Sequence, residues 1–383
     1  MPWKERCALD LRIEMINDWL SKEYTVTELS LFYHVSRKTV YKWIERYQRV
    51  GESGLEELSR IPHYHPNATS EDKIKAILMM KKQHLKWGPR KVIAKLRNDN
   101  LGQKWPADST VNTILRKHGL VNERKYRHHT PPYTQPFLES DQPNKVWSAD
   151  YKGQFRMGNE RLCYPLTISD NYSRYILACQ GLASPTFRQT QLYFEWAFRQ
   201  YGLPDAIRTD NGAPFASVGL GGLSRLSVWF IKLGIRPERI VAGCPEQNGR
   251  HERMHKTLKD EAANPPEKNI TEQQKAFDHF VAEYNNERPH EALGQKTPAS
   301  IYRKSSRNYP SKLPDIEYDS HTIVRYVHPN GRITWHAADL YISQSLAGEH
   351  IRLKQIGNSI WEVGFGYYPL GLIDERRLKI TSY

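Results

Sequence analysis

Cysteine is scarce: Cys7, Cys163, Cys179 and Cys244 are the only four in 383 residues, and none forms a Cys-x-x-Cys pair. That argues against a zinc knuckle and a disulfide scaffold, and fits a reducing compartment. Long apolar runs are missing too. No window approaches the roughly 18 apolar residues of a membrane span, and Met1-Pro2-Trp3-Lys4-Glu5-Arg6 opens none. The expectation is a cytosolic chain without signal peptide or membrane span. There is no Gly-x-x-x-x-Gly-Lys, and Gly364-Phe365-Gly366 is not a nucleotide loop, so an ATP requirement is unsupported. Acidic residues are in deficit, 42 against 56 basic ones, for a formal net charge of +14. A polyanion is the natural partner, since each neutralised phosphate releases counterions; a merely soluble basic surface is the plainer alternative.

A chain of this length, 39% hydrophobic, holds two to four domains. Over 1–60, Leu9, Ile13, Ile16 and Leu20 recur at helical spacing, and Thr25 with Glu28 forms a capping box for a second helix. A break at Tyr33-His34-Val35 leads to Ser36, the N-cap of a basic third helix. This is the helix-turn-helix pattern, with Val40, Ile44 and Tyr47 inward and Arg37, Lys38, Tyr41 and Lys42 toward a major groove. A three-helix bundle with a solvated basic face is the alternative; clustering of the bases on the third helix favours DNA. A second unit of the same plan spans 61–121, with helices over 70–84, 90–97 and 109–118, a Trp87-Gly88-Pro89 break and Gly119 as a stop. Arg116 and Lys117 are its candidate DNA contacts.

The stretch 122–143 reads as a basic, proline-rich linker able to track phosphates through Arg124, Lys125 and Arg127. His128-His129 has no partner ligands nearby and is read as solvated and phosphate-facing, not metal-binding. Then the pattern changes. Strands over 145–155, 162–169 and 175–179 form an antiparallel meander, followed by a helix over 185–201, a strand ending at Asp210, a helix over 224–233, a strand over 235–239, a helix after Gly249 and a helix over 271–286. Over 144–302 that is the order of an α/β ribonuclease-H-like core. After a linker over 303–319, the tail 320–383 alternates as a small all-β barrel, with Asn330-Gly331 as a hairpin turn; it favours neither DNA nor protein contact.

Three acids stand where such a core needs carboxylates: Asp150 and Asp210 at strand ends, and Glu252 on a helix. Carboxylates so far apart in sequence can converge on two divalent metal ions for phosphoryl transfer on nucleic acid. Asp170, before Asn171, reads as a turn residue. His251 and His255 bracket Glu252; assistance at the metals, a polar helix surface and DNA contact all remain open.

Val146-Trp147-Ser148-Ala149-Asp150-Tyr151, Arg208-Thr209-Asp210-Asn211-Gly212 and Pro245-Glu246-Gln247-Asn248-Gly249-Arg250-His251-Glu252-Arg253 together resemble bacterial insertion-sequence transposases with a retroviral-integrase-like (DDE) core. Tyr284-Asn285-Asn286-Glu287-Arg288-Pro289-His290-Glu291-Ala292-Leu293, with Thr297-Pro298, is similar to that family's post-catalytic signature. The resemblance implies DNA cleavage and strand transfer by Asp150, Asp210 and Glu252 on two Mg²⁺ ions, with Mn²⁺ substituting. It further implies element ends and target DNA as partners, a DNA-induced homodimer or higher homo-oligomer, and a nucleoid-associated location in the bacterial cytoplasm. Glu246 leaves 35 residues after Asp210 and Glu252 leaves 41. A ligand held to close tolerance suits a helix better than a loop, so Glu252 is preferred, the glycine-rich 216–222 absorbing the extra length. Lys256 and Lys259 then share the Glu252 face and are placed for substrate phosphates. A structure-specific nuclease of the same fold and a catalytically dead DNA-binding regulator are the alternative functions.

Overall fold

A computed structural model describes residues 7–59, 68–121, 138–217, 219–240, 247, 249–320, 322–336 and 338–382. It divides into two compact units, 1–69 and 70–383.

In the first unit, α1 (Ala8–Leu20), α2 (Val26–Phe32) and α3 (Arg37–Val50) enclose Ile16, Leu29, Val40, Trp43, Ile44 and Leu55. The expected capping box closes α2, Glu28 N–H donating to Thr25 Oγ1 at 3.3 Å and Thr25 N–H to Glu28 Oε2 at 2.7 Å. His34, at φ 52°, makes the turn, and Ser36 Oγ caps α3.

The second unit opens with α4 (Glu71–Gln83), α5 (Pro89–Asp99) and α6 (Asp108–Lys117), packed around Ile77, Trp87, Val92, Ile93 and Leu115. Pro89 starts α5, where its missing N–H costs nothing, and Gly119 at φ 67° follows α6. His84 Nδ1 lies 2.8 Å from Glu283, and Arg90 2.6 Å from Glu291, tying these helices to the sheet domain.

That domain is built on β1 (Val146–Tyr151), β2 (Phe155–Arg156), β3 (Leu162–Asp170), β4 (Ile176–Leu182), β5 (Ala206–Thr209) and β6 (Arg236–Arg239). β3 pairs antiparallel with β1, β2 and β4, while β1, β5 and β6 run parallel. One face packs on α7 (Phe187–Tyr201) and α8 (Arg225–Lys232) through Trp147, Ile168, Phe194, Phe198, Ile207 and Phe230. The other packs on α9 (Gly249–Ala262) and α10 (Ile270–Asn286) through Cys163, Ile176, Met254, Leu258 and Phe277. Three antiparallel strands followed by alternating helices and strands match the expected order.

The tail is all-β, and among the described residues its main sheet is not closed into a barrel. β10 (His350–Gly357), β11 (Ile360–Phe365), β12 (Tyr368–Asp374) and β13 (Lys379–Ser382) form an open sheet in the order β13-β12-β11-β10-β7, where β7 is Ile323–Tyr326. Among the described residues β13 and β7 each pair on one side only, which leaves the sheet open. The Asn330-Gly331 turn forms, yet the strands flanking it do not make the expected hairpin: β8 (Arg332–Trp335) pairs with β9 (Ala338–Tyr341) as a separate ribbon. The Gly331 carbonyl accepts from Ile342 and Ser343 N–H at 2.9 and 3.2 Å, which folds the chain after β9 back onto the turn.

Candidate active site

The period-two alternation of β1 decides where Asp150 points. Trp147 and Ala149 are buried against α7 and α8, so Asp150 faces the opposite side, where His255 Nδ1 of α9 stands 3.8 Å from its Oδ2. Asp210 immediately follows β5. β1 and β5 pair in parallel with Val146 opposite Ala206 and Ser148 opposite Arg208; the same register carried two residues on sets Asp150 beside Asp210. Both therefore lie at the carboxyl ends of parallel strands, where open α/β sheets take their ligands. Burial, then the charge of Asp210, pushes the Asp150 carboxyl up to about 7, and Glu252 acts in the same direction. Burial also raises Asp210, against the Gly212 N–H that donates to its Oδ1 at 3.1 Å. Two half-buried carboxyl groups thus stand side by side with only partial screening by water, an arrangement that a cation relieves.

Glu252 lies exposed in the first turn of α9. Among the described residues, no three His, Cys, Asp or Glu side chains are gathered tightly enough to hold a metal ion unaided. The structure brings Asp150 and Asp210 together, and the charge of Glu252 reaches Asp150. The donors are hard carboxylate oxygens, which suit Mg²⁺ or Mn²⁺. Glu246 and Cys244 lie outside the described residues.

His251 and His255 are neither helix-surface residues nor exposed DNA contacts. Both are buried, and they dock α9 onto β3. Thr167, opposite Asp150 in the β1–β3 register, donates to the Asp150 carbonyl at 3.1 Å and lies 2.7 and 2.6 Å from Nε2 of His251 and His255. One hydroxyl gives one proton and accepts two, so the set closes with both rings presenting Nε2–H to Thr167 and Ser169 Oγ donating to His251 Nδ1 at 3.0 Å. Burial keeps the rings neutral, pushing His251 down to about 3 and His255 lower still. Sequence reading missed Thr167 because only strand register sets it against Asp150; the i, i+4 histidine spacing was the visible half of the signal. Thr167→Val should orphan two buried ring donors and cost about 2–4 kcal/mol, while Thr167→Ser stays near wild type in a urea melt. A valine variant within about 0.5 kcal/mol of wild type would show that α9 docks without this hub.

The segment 284–293 is architectural as well. Asn285 pairs with both backbone groups of Ile176 at 2.9 Å, covering the outer edge of β4. Arg288 Nη1 donates to both oxygens of Glu261 on α9 at 2.7 Å, and His290 packs on Tyr284 with ring centroids 4.7 Å apart. Asp170 is a buried staple at the end of β3, accepting from Asn144 N–H at 2.8 Å and from the Ser173 backbone and hydroxyl at 2.8 and 2.6 Å. Its reading as a turn residue holds.

The remaining sequence candidates are dispersed. Arg37, Lys38, Tyr41 and Lys42 lie exposed on α3, with Val40 and Ile44 inward as expected. Arg116 and Lys117 are exposed at the end of α6, and Lys256 and Lys259 on α9. Arg124, Lys125, Arg127 and His128-His129 lie outside the described residues.

Two family models, each described as an integrase core domain, match residues 140–245 and 233–298. A homeodomain-like model matches 39–115 and a helix-turn-helix model 11–62. The chain is 25% identical over 255 residues to the 31.7 kDa protein of insertion element IS407 from Burkholderia multivorans, covering 64% of this chain and 87% of that one. It is 31% identical over 183 residues to the 39.2 kDa protein of insertion element IS476 from Xanthomonas euvesicatoria, covering 45% of this chain and about half (49%) of that one. Among solved structures it is similar to the HTLV-2 integrase catalytic core domain in complex with magnesium, at 17% identity and a TM-score of 0.35, over 43% of this chain and 100% of that one.

Proposed function

The chain belongs to the bacterial insertion-sequence transposases of the integrase-core superfamily, and from that premise we propose that it binds the ends of its element and carries out metal-dependent DNA cleavage and strand transfer. The observation that carries this reading is the placement of Asp150 and Asp210 side by side at the carboxyl ends of β1 and β5, half-buried, with the charge of Asp210 raising the Asp150 carboxyl. Asp150, Asp210 and Glu252 would hold two Mg²⁺ ions, for which Mn²⁺ substitutes. Bound there, such ions would supply Lewis-acid activation of an attacking water or DNA 3′-hydroxyl and stabilisation of the leaving oxygen.

The chain's own groups do the rest. Thr167, His251 and His255 fix the α9 turn that carries Glu252 against the strand that carries Asp150. Lys256 and Lys259 lie exposed further along the same helix and would take substrate phosphates. End recognition falls to the two helical domains through Arg37, Lys38, Tyr41, Lys42, Arg116 and Lys117, with Arg124, Lys125 and Arg127 tracking the backbone between them and the core. Joining two ends to a target needs at least two protomers, so a DNA-induced homodimer or higher homo-oligomer is expected.

The test is purified protein with end-labelled DNA carrying the element's flanking repeats, in Mg²⁺ and in Mn²⁺. Glu252→Gln should bind ends as wild type does and give neither nicked nor joined products, while Glu246→Gln keeps both. The reverse pattern would move the third acid to Glu246. Nicking without joining under varied ends and targets would make the protein a nuclease; specific binding without chemistry in either metal would make it a regulator.

A further inference from the structure

At the amino end of β1, opposite the end that carries Asp150, and along the first turns of α9, the structure concentrates positive charge that its own carboxylates do not fully balance. Arg250 and Arg253, in the first turns of α9, are exposed. Arg250 and Arg174 both donate to the carbonyl of Asn171, so two guanidinium groups converge on one backbone oxygen. Arg288 closes the group from the end of α10, and Lys91 enters it from α5 of the second helical domain, where the charges bearing on it are Arg288, Glu261, Glu291 and Arg253. The carboxylates are already committed. Glu261 is held by Arg288 and Glu291 by Arg90, while Asp170 is used by Asn144 and Ser173. Among the described residues no carboxylate forms an ion pair with Lys91, Arg174, Arg250 or Arg253.

We propose that Lys91, Arg174, Arg250 and Arg253, backed by the buried Arg288–Glu261 pair, form a phosphate cradle that grips the DNA backbone between the second helical domain and the catalytic acids. The assignment rests on the transposase reading and adds a site to it. An exposed rim of two arginines, Arg250 and Arg253, over the half-buried Lys91 and Arg174 offers several charge-assisted donors to a phosphate oxygen, and arginine forks suit that geometry. Like charges packed this closely destabilise the empty protein: burial and Arg288 push the Lys91 ammonium down to about 8. An anion supplied from outside removes that repulsion. Because Arg253 is the residue after Glu252 on the same helix, and Lys91 belongs to the helices expected to read the element end, a phosphate held here fixes the distance between recognition and the bond to be cut. The cluster contacts no base in this role, so it should act equally on all sequences.

The measurement is fluorescence anisotropy of the full chain with a labelled mixed-sequence duplex across a salt series, together with thermal melts without DNA. Combining Arg174→Gln with Arg253→Gln should weaken binding about tenfold and lower the slope of log affinity against log salt by about 1 to 2. The melting temperature should be no lower than that of wild type, since repulsion has been removed. A purely structural role predicts the opposite, a lower melt with an unchanged slope, and would overturn the proposal. Arg174→Lys with Arg253→Lys should restore the slope. If inorganic phosphate raises the wild-type melt while the glutamine variant keeps the wild-type duplex slope, the cradle serves a free anion and the DNA assignment falls. Absence of salt-dependent duplex binding by wild type would sink the transposase reading itself; normal wild-type binding with an unaltered variant sinks only the cradle.

Discussion

Asp150→Asn should abolish cleavage and joining, by at least about 10³-fold, and at the same time make the metal-free protein more stable. The two effects share one cause. Burial and the charge of Asp210 hold the Asp150 carboxyl at about 7, above its ordinary range, so the folded state binds a proton that the unfolded chain has already released. A raised carboxyl favours folding fully below the unfolded pKa and ceases to do so as pH rises through the folded one. Without metal, wild type therefore loses about 2–4 kcal/mol between pH 4 and pH 7, and Asp150→Asn, which has no such charge to bury, loses much less over the same window. Added Mg²⁺ should return most of the loss to wild type and none to the variant. Thermal melts from acid to neutral pH, with EDTA or with Mg²⁺, measure all of this. A variant that melts below wild type at neutral pH in EDTA would show that Asp150 is a structural acid, and retained strand transfer would remove it from the site.

The positions of Asp150 and Asp210 were legible in the sequence for a local reason: each stands at the end of a short strand-like run, and an acid at the edge of a core is expensive unless it is used. Their neighbourhood was not legible to the same depth. Thr167 becomes its focus only through a cross-strand register, and strand register is a property of pairing over distance, not of any short window. The histidines of α9 were undecidable for a related reason. A helix whose buried face is polar looks like a solvated helix until the sheet beneath it is known to present Thr167 and Ser169. The helical domains were easier, because caps, breaks and the buried stripe of α3 are set within a few residues. The tail misled for the opposite reason. Asn330-Gly331 is strong hairpin chemistry locally, but its carbonyl is taken by residues that follow β9, and the sheet built there stays open.

The same tail carries the second large effect. Ending the chain at Asp319 should leave a catalytic core that is insoluble or melts without cooperativity, although 303–319 reads as a linker between independent parts. Leu223 and, from α8, Val228 and Ile231 are buried in one cluster with Val327, Leu346, Phe365 and Leu370 of the tail, so removing the sheet bares side chains of the catalytic domain itself. At roughly 1.5–3 kcal/mol for each buried aliphatic side chain, these three alone approach the whole stability of an ordinary domain. Polar contacts run the same way: Lys232 to Glu349 at 2.9 Å, Tyr367 hydroxyl to the Ile235 carbonyl at 2.7 Å, and Leu220 N–H to the Ile342 carbonyl at 2.9 Å. The glycine-rich insertion that lengthens the spacing between Asp210 and Glu252 is the clasp. A Cβ on Gly219 would fall 2.2 Å from Ser343 Oγ, and Gly221, at φ 68°, has Leu370 against it. Gly219→Val should therefore open the joint without deleting anything, lowering the melt and making 303–319 the first site of limited proteolysis. A truncated protein that stays soluble and melts cooperatively within a few degrees of the full chain would instead establish the tail as an independent module, and the insertion would then need another purpose.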